Sequence, residues 1–147
     1  MPSSSNFEKK IVLVEQMFAG CFSAEDRYKK ILELGHQLPS FDVEQKQACN
    51  LVEGCQSLMY AHITFIEGKL DFTVFSEALI SKGLAALLYI VYNQQPAEII
   101  LKNPPLFLKE LGIITSLSPS RASGVASLFS KLQKAAIKFL TTQNLAR

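Results

Sequence analysis

The sequence predicts an α+β fold: one small domain over residues 1–147, with helices packed on an antiparallel β-sheet. Three observations carry this expectation. Apolar residues recur at helical spacing in the first and last thirds of the chain. Between them, one stretch alternates apolar and polar side chains after a glycine, the pattern of a hairpin. A length of 147 residues with 48% hydrophobic content suits one domain and supplies ample material for one core.

The elements follow in order. Ser5 and Glu8 form a capping box, and Phe7, Ile11, Val14 and Phe18 share one helical face before Gly20 stops the helix. Ser23 and Asp26 repeat the start signal. Tyr28, Ile31, Leu32 and Leu34 form the buried stripe of a second helix, and Gly35 suits the position just past its end.

From His36 to Gln56 the periodicity is broken by Pro39, Ser40, Asp42, Asn50 and Gly54. An irregular excursion is expected there, with one helical turn about Asp42 to Lys46. Loops of this length inside a compact domain tend to be functional, and both Cys49 and Cys55 lie in this one.

Leu58 to Glu67 is rich in β-branched and aromatic residues, Gly68 marks a tight turn, and Leu70, Phe72 and Val74 alternate with Asp71 and Thr73. A lone hairpin is marginal in water, so helices must cover one face. The segment before Leu58 is a candidate third strand.

Ser76 then caps a central helix through Leu79, Leu84, Leu87, Leu88 and Val91 to about Asn93, apolar on most sides. Pro96 opens a short helix to Leu101. Asn103, Pro104 and Pro105 break the chain before another short helix that ends at Gly112. Ser118 and Pro119 open the last long helix, which carries Val125, Leu128, Phe129, Leu132 and Ala136, with fraying expected over residues 140–147.

Composition excludes several classes of function. A net charge of +2 leaves no electrostatic footprint for nucleic acid or anionic lipid. The longest apolar run, Gly83 to Tyr92, is about half of what spans a bilayer. Three cysteines, an odd number, argue against a disulfide-stapled secreted module, and the first residues lack the basic and long apolar regions of a signal peptide. The expectation is a soluble cytoplasmic protein without nucleic-acid or membrane partners.

The thiols are the chemically unusual inventory. A metal site from Cys21, Cys49, Cys55 and His62 is combinatorially available, but paired Cys-x-x-Cys spacing is missing. A Cys–His hydrolase finds no nucleophile-elbow pattern, and His62 falls in the first strand. A free reactive cysteine fits better. Gly54 before Cys55, with Gln56 and Ser57 after it, gives flexible polar surroundings through which another protein can reach the sulfur. Cys21, beside Phe18, Ala19 and Phe22, reads as a core thiol. For Cys49 and Cys55, residue types alone leave reactive and inert roles balanced.

The run Asn50-Leu-Val-Glu-Gly-Cys55-Gln-Ser57 resembles the active-site loop of the SufE/CsdE family of sulfur-acceptor proteins. Tyr28 to Gly35 with Leu38-Pro39, Lys82 to Leu88 with Pro96 to Ile100, and Phe107 to Gly112 resemble further family segments. The run Leu117-Ser-Pro-Ser-Arg121-Ala-Ser-Gly124 resembles its closing signature. The similarity runs in order from about Glu25 to Ala136.

The resemblance implies a fold like that of the scaffold protein IscU. It implies that Cys55 takes sulfane sulfur from a SufS-like cysteine desulfurase, stimulates that enzyme, and passes the sulfur to a SufBCD-like scaffold complex for iron–sulfur cluster assembly. The chain would act as an accessory to the desulfurase, as a monomer or weak homodimer. It would need no cofactor of its own, because pyridoxal phosphate belongs to the partner and the intermediate is a covalent persulfide. Gly54, Gln56 and Ser57 support the loop, and Arg121 matches an arginine near the docking surface.

One accessible cysteine suffices for such a displacement at sulfur. Phe41, Leu51 and Val52 are candidate lining residues for a shielded persulfide; of two roles open to Cys49, resolving the persulfide as an internal disulfide or packing as a small residue, packing is the one expected. Leu58, Met59 and Tyr60 replace a frequent family tryptophan, and Ser76-Glu77-Ala78 replaces Ser-Asp-Ala, changes that bear on partner surface. The competing readings are a metal or cluster scaffold using Cys21, Cys49, Cys55 and His62, and a non-catalytic interaction module.

Overall fold

The helical and alternating patterns resolve, in the computed structural model, into six α-helices around one hairpin among the described residues. The structure describes residues 4–145, with side chains placed for residues 6–144. The order is α1 (Ser4–Phe18), α2 (Ala24–Gly35), β1 (Met59–Ile66), β2 (Lys69–Ser76), α3 (Leu79–Tyr92), α4 (Ala97–Lys102), α5 (Leu106–Glu110) and α6 (Pro119–Leu145). Among the described residues, no helix is long and apolar enough to cross a membrane.

α3 is the hub. Nine of its 14 residues are buried, among them Leu84, Leu87, Leu88 and Val91, because α1, α2, α6 and β2 all pack against it. Each fully buried leucine contributes roughly 1.5–3 kcal/mol relative to exposure. Tyr92 closes the helix inside the core, its Oη donating to Asn103 O at 2.7 Å and tying α3 to the end of α4.

The α2–α3 crossing depends on two glycines. A Cβ on Gly35 would lie 2.9 Å from the backbone nitrogen of Gly83, and one on Gly83 would collide with the Ile31 carbonyl. Gly35 therefore ends α2 as a buried, close-contact residue; His36 is the C-cap, in right-handed helical conformation. The expected left-handed stop is absent because close helix approach, not chain reversal, fixes this glycine. Tyr28 leaves the expected stripe and is half exposed, while Ile31 and Leu34 are buried. Ser23 caps α2 as expected, accepting from Asp26 N at 3.1 Å.

β1 and β2 pair antiparallel from Met59↔Ser76 to Ile66↔Lys69. Their two-residue turn holds Glu67 at φ 54° and Gly68 at φ 80°, the primed geometry that matches strand twist. Met59, Ala61, Leu70, Phe72 and Val74 are buried on the helix-facing side, and Phe65 stacks on Phe139 of α6 at 4.7 Å. The free edge of β2 is closed by the chain after α3, with Leu70 N donating to Gln95 O and Gln94 N to Leu70 O. The candidate third strand reduces to one bridge, Leu51↔Tyr60, because the chain turns away at the sulfur-bearing loop.

Other expectations shift. Ser76 ends β2 and bonds the backbone of Ala78; Ala78 is the N-cap residue of α3 and supplies no side-chain cap. Pro96 is the N-cap of α4 rather than its first residue. The fraying expected over residues 140–147 gives way to helix through Leu145, with residues 146–147 outside the described part. Ser5 lies within α1, and its side chain is outside the described part. The turn near Asp42 forms as Val43–Gln45, and a second, unanticipated one follows at Ala48–Asn50.

Replacing Gly83 with alanine tests the crossing. Alanine normally favours a helix, but here it must separate α2 from α3. Urea denaturation is expected to show a loss of about 1–3 kcal/mol, the usual cost of overpacking. Gly20→Ala, with nothing within 4 Å of the added methyl, is the matched control and should change little.

Candidate sulfur-bearing site

The loop between the Ala48–Asn50 turn and β1 is pinned at both ends. Val52 N donates to Met59 O at 2.9 Å, and Glu77 N donates to Leu58 O at 3.2 Å. Buried Asn50 braces its base, Nδ2 donating to Gln45 O at 2.8 Å. Lys131 of α6 adds a bond from Nζ to Cys49 O at 3.1 Å. The chain must reverse between these anchors, and it does so at Gly54, whose φ of +87° is costly for any residue with a Cβ.

Cys55 follows that reversal and turns inward. Its half-buried Sγ lies 3.8 Å from the carbonyl oxygen of Gly124 on α6, to which the thiol donates a weak hydrogen bond. Gly124 is buried, and a Cβ there would stand 3.4 Å from the sulfur. Three residues on, along the same helix face, Ser127 faces Gly54, where a Cβ would come within 2.6 Å of its Oγ. Beside Gly124, a cavity of about 10 Å³ is lined by Met59, Leu84, Ala85, Val125 and Leu128, with Ser81 and Arg121.

Burial pushes the Cys55 thiol above the usual cysteine range, because desolvation disfavours the thiolate. At neutral pH the resting sulfur is therefore a protonated thiol.

The sequence-derived candidates disperse around this centre. Gln56 is exposed and Ser57 half-buried; both line an open hollow of about 380 Å³ with Leu51, Val52 and Gly54. Arg121 lies one turn before Gly124 on α6 and is half-buried. Leu51 and Val52 line the same open hollow as Cys55. Phe41 does not: it packs on Tyr60 and Phe75 at 6.4 and 6.2 Å, where Lys46 covers the Phe75 ring.

Cys49 is exposed, correcting the expectation of a packed residue, because its turn lies on the surface over a groove of about 510 Å³ beside α6. Cys21 is half-buried between α1 and α2, packed against the core edge rather than inside it. His62 sits mid-strand opposite Thr73. Among the described residues, no three His, Cys, Asp or Glu side chains lie close enough to hold a metal ion, so Cys21, Cys49, Cys55 and His62 form no shared centre.

Gly124 and Ser127 were not singled out from the sequence as partners of the loop. The available signal was a glycine inside an otherwise helical pattern, which often marks close packing.

The raised thiol pKa has a measurable consequence. Alkylation of Cys55 in the folded protein is expected to keep accelerating above the pH at which an ordinary cysteine levels off, and the midpoint should fall back in urea. Since the folded value exceeds the unfolded one, stability contributed by the buried thiol is complete at neutral pH. It is lost as pH rises through the folded value.

The chain is similar to known proteins over most of its length. The family model described as SufE, Fe-S metabolism associated domain, matches residues 13–136. The cysteine desulfuration protein SufE of Wigglesworthia glossinidia brevipalpis is 30% identical over 134 residues, covering 90% of this chain and 92% of that one. An uncharacterized SufE-like protein of Synechocystis sp. is 36% identical over 118 residues, covering 80% of this chain and 74% of its own length. The solution structure of a hypothetical protein from Thermus thermophilus shares the fold, with a TM-score of 0.75 at 24% identity, over 90% of this chain and 96% of that one. An α+β chain matched over residues 13–136, with its loop cysteine seated on the last helix, belongs to the SufE family of Fe-S metabolism associated domains.

Proposed function

We propose that this protein accepts sulfane sulfur from a cysteine desulfurase onto Cys55 and carries it as a persulfide to an iron–sulfur assembly scaffold. The observation that carries the reading is the placement of Cys55: an unpaired thiol just after a glycine reversal, half-buried, on a loop whose backbone bonds lie at its ends. Family membership and a relative named for cysteine desulfuration support it.

The chemistry is a displacement at sulfur. The Cys55 thiolate attacks the outer sulfur of the desulfurase persulfide, a new S–S bond forms on Cys55, and the desulfurase cysteine leaves as a thiolate. Delivery repeats the step in reverse roles, with the scaffold's nucleophile attacking and Cys55 leaving. The electron count is unchanged in both steps, so this chain needs no redox group. Pyridoxal phosphate stays with the desulfurase.

Docking supplies what the resting site withholds. Lifting the loop exposes Cys55 to water, removes the desolvation that raises its pKa, and increases the thiolate fraction. Gln56 and Ser57 move with the loop, and Arg121, beside the seat, faces the arriving partner. Draining the desulfurase persulfide frees that enzyme for another turnover, which accounts for stimulation. A cytoplasmic setting, where thiols stay reduced, suits an unpaired carrier.

Intact-mass measurement after incubation with a cysteine desulfurase and cysteine tests the reading. Wild type is expected to gain one sulfur atom that a thiol reductant removes; Cys49→Ser and Cys21→Ser should gain it as well, and Cys55→Ser should not. Sulfur gain by Cys55→Ser, or none by wild type, refutes it.

A further inference from the structure

Two contacts three residues apart on α6 interlock with two adjacent residues of the loop. At Gly54 the loop has no side chain, and α6 presents the Ser127 hydroxyl. At Gly124 the helix has no side chain, and the loop presents the Cys55 thiol. Gly54 makes room for the Ser127 hydroxyl, and the bare Cα of Gly124 faces the Cys55 thiol, so the two contacts together fix one register of loop on helix. The loop's remaining anchors lie outside this pair, at Val52 and Leu58. Between them, only the Cys55 thiol bonds the loop to α6 among the described residues.

We propose that Gly124, with Ser127 beneath Gly54, is the positioning residue that decides whether the Cys55 sulfur rests against α6 or stands free for attack. The bare Cα of Gly124 leaves the sulfur a seat; a methyl there only touches the sulfur, and a larger, branched side chain fills the seat and shifts the loop to its open arrangement. This deepens the proposed sulfur-carrier role and rests on it for its biological meaning. The latch itself is a property of the free protein, because neither contact involves a partner.

The latch also distinguishes Gly124 from the glycines that serve packing. Gly35 and Gly83 abut backbone, where an added methyl disturbs the whole α2–α3 crossing. At Gly124 an added Cβ would meet only the thiol, at an ordinary contact distance of 3.4 Å, so a methyl fits and only a larger side chain reaches into the place of the sulfur. Helix α6 itself gains from losing a glycine.

Alkylation of the full-length protein by iodoacetamide, followed residue by residue with fragment-ion mass spectrometry, tests this without a desulfurase. Rates at Cys55, Cys49 and Cys21 are compared for wild type, Gly124→Ala, Gly124→Val and the control Gly20→Ala. The rate of reaction at a guarded site follows the population of its open form. Cys55 is expected to react at about the wild-type rate in Gly124→Ala, whose methyl fits, and at least about threefold faster in Gly124→Val. Cys49, Cys21 and the control should stay at wild-type rates.

Ser127→Leu pushes the loop at Gly54 instead of at the sulfur and should give the same selective rise, which keeps the test decisive if the valine variant does not fold. A rise below about threefold in Gly124→Val and Ser127→Leu, in whichever of them folds, or an equal rise at Cys21, overturns the latch. Neither result touches the sulfur-acceptance reading, which stands or falls on sulfur gain at Cys55.

Discussion

The sulfur of Cys55 rests on the backbone of α6 at Gly124, and the loop anchors and the buried face of α6 set where those two atoms meet. For the contact to form, α6 must be rigid and the loop must be short of side chains at one point. The helix meets its part by burying Val125, Leu128, Phe129, Leu132 and Ala136 against the core. The loop meets its part through Gly54, at a backbone angle that other residues adopt only with strain.

The scaffold beneath has the same logic of close approach. α3 can be surrounded on so many sides because Gly35 and Gly83 let α2 come almost to backbone contact. The hairpin then lies over α3 and α6, its buried face filled by Phe72, Leu70 and Val74. Because the outer edge of β2 is bonded by residues 93–96, the sheet stays two-stranded and is still protected from pairing with another chain along that edge. The loop is thus mounted between fixed elements: a pinned strand start at Met59, a braced turn at Asn50, and the small-residue face of α6.

Periodicity made the helices and the hairpin legible, since those patterns follow from which side chains must be buried. Cys55 is marked as the candidate sulfur by its neighbours Gly54, Gln56 and Ser57 and by the segments that resemble the family. Three things were not legible. Gly35 reads as a helix stop because local sequence cannot reveal that a second glycine, 48 positions later, abuts it. Cys49 reads as packed because exposure is decided by α6, whose Lys131 holds that turn at the surface. Phe41 reads as a lining residue because it is apolar and near Cys55 in sequence, yet Tyr60 and Phe75 offer it a better surface. In each case a contact distant in sequence outweighed the local signal.

The account turns on which of the three sulfurs receives the extra atom. Cys49 and Cys55 fall in one tryptic peptide, residues 47–69, so fragment ions within that peptide must separate them. After exposure to a desulfurase and isotopically labelled cysteine, the label is predicted on Cys55 alone, with Cys49 and Cys21 unlabelled. Label on exposed Cys49 in preference to half-buried Cys55 would contradict the account.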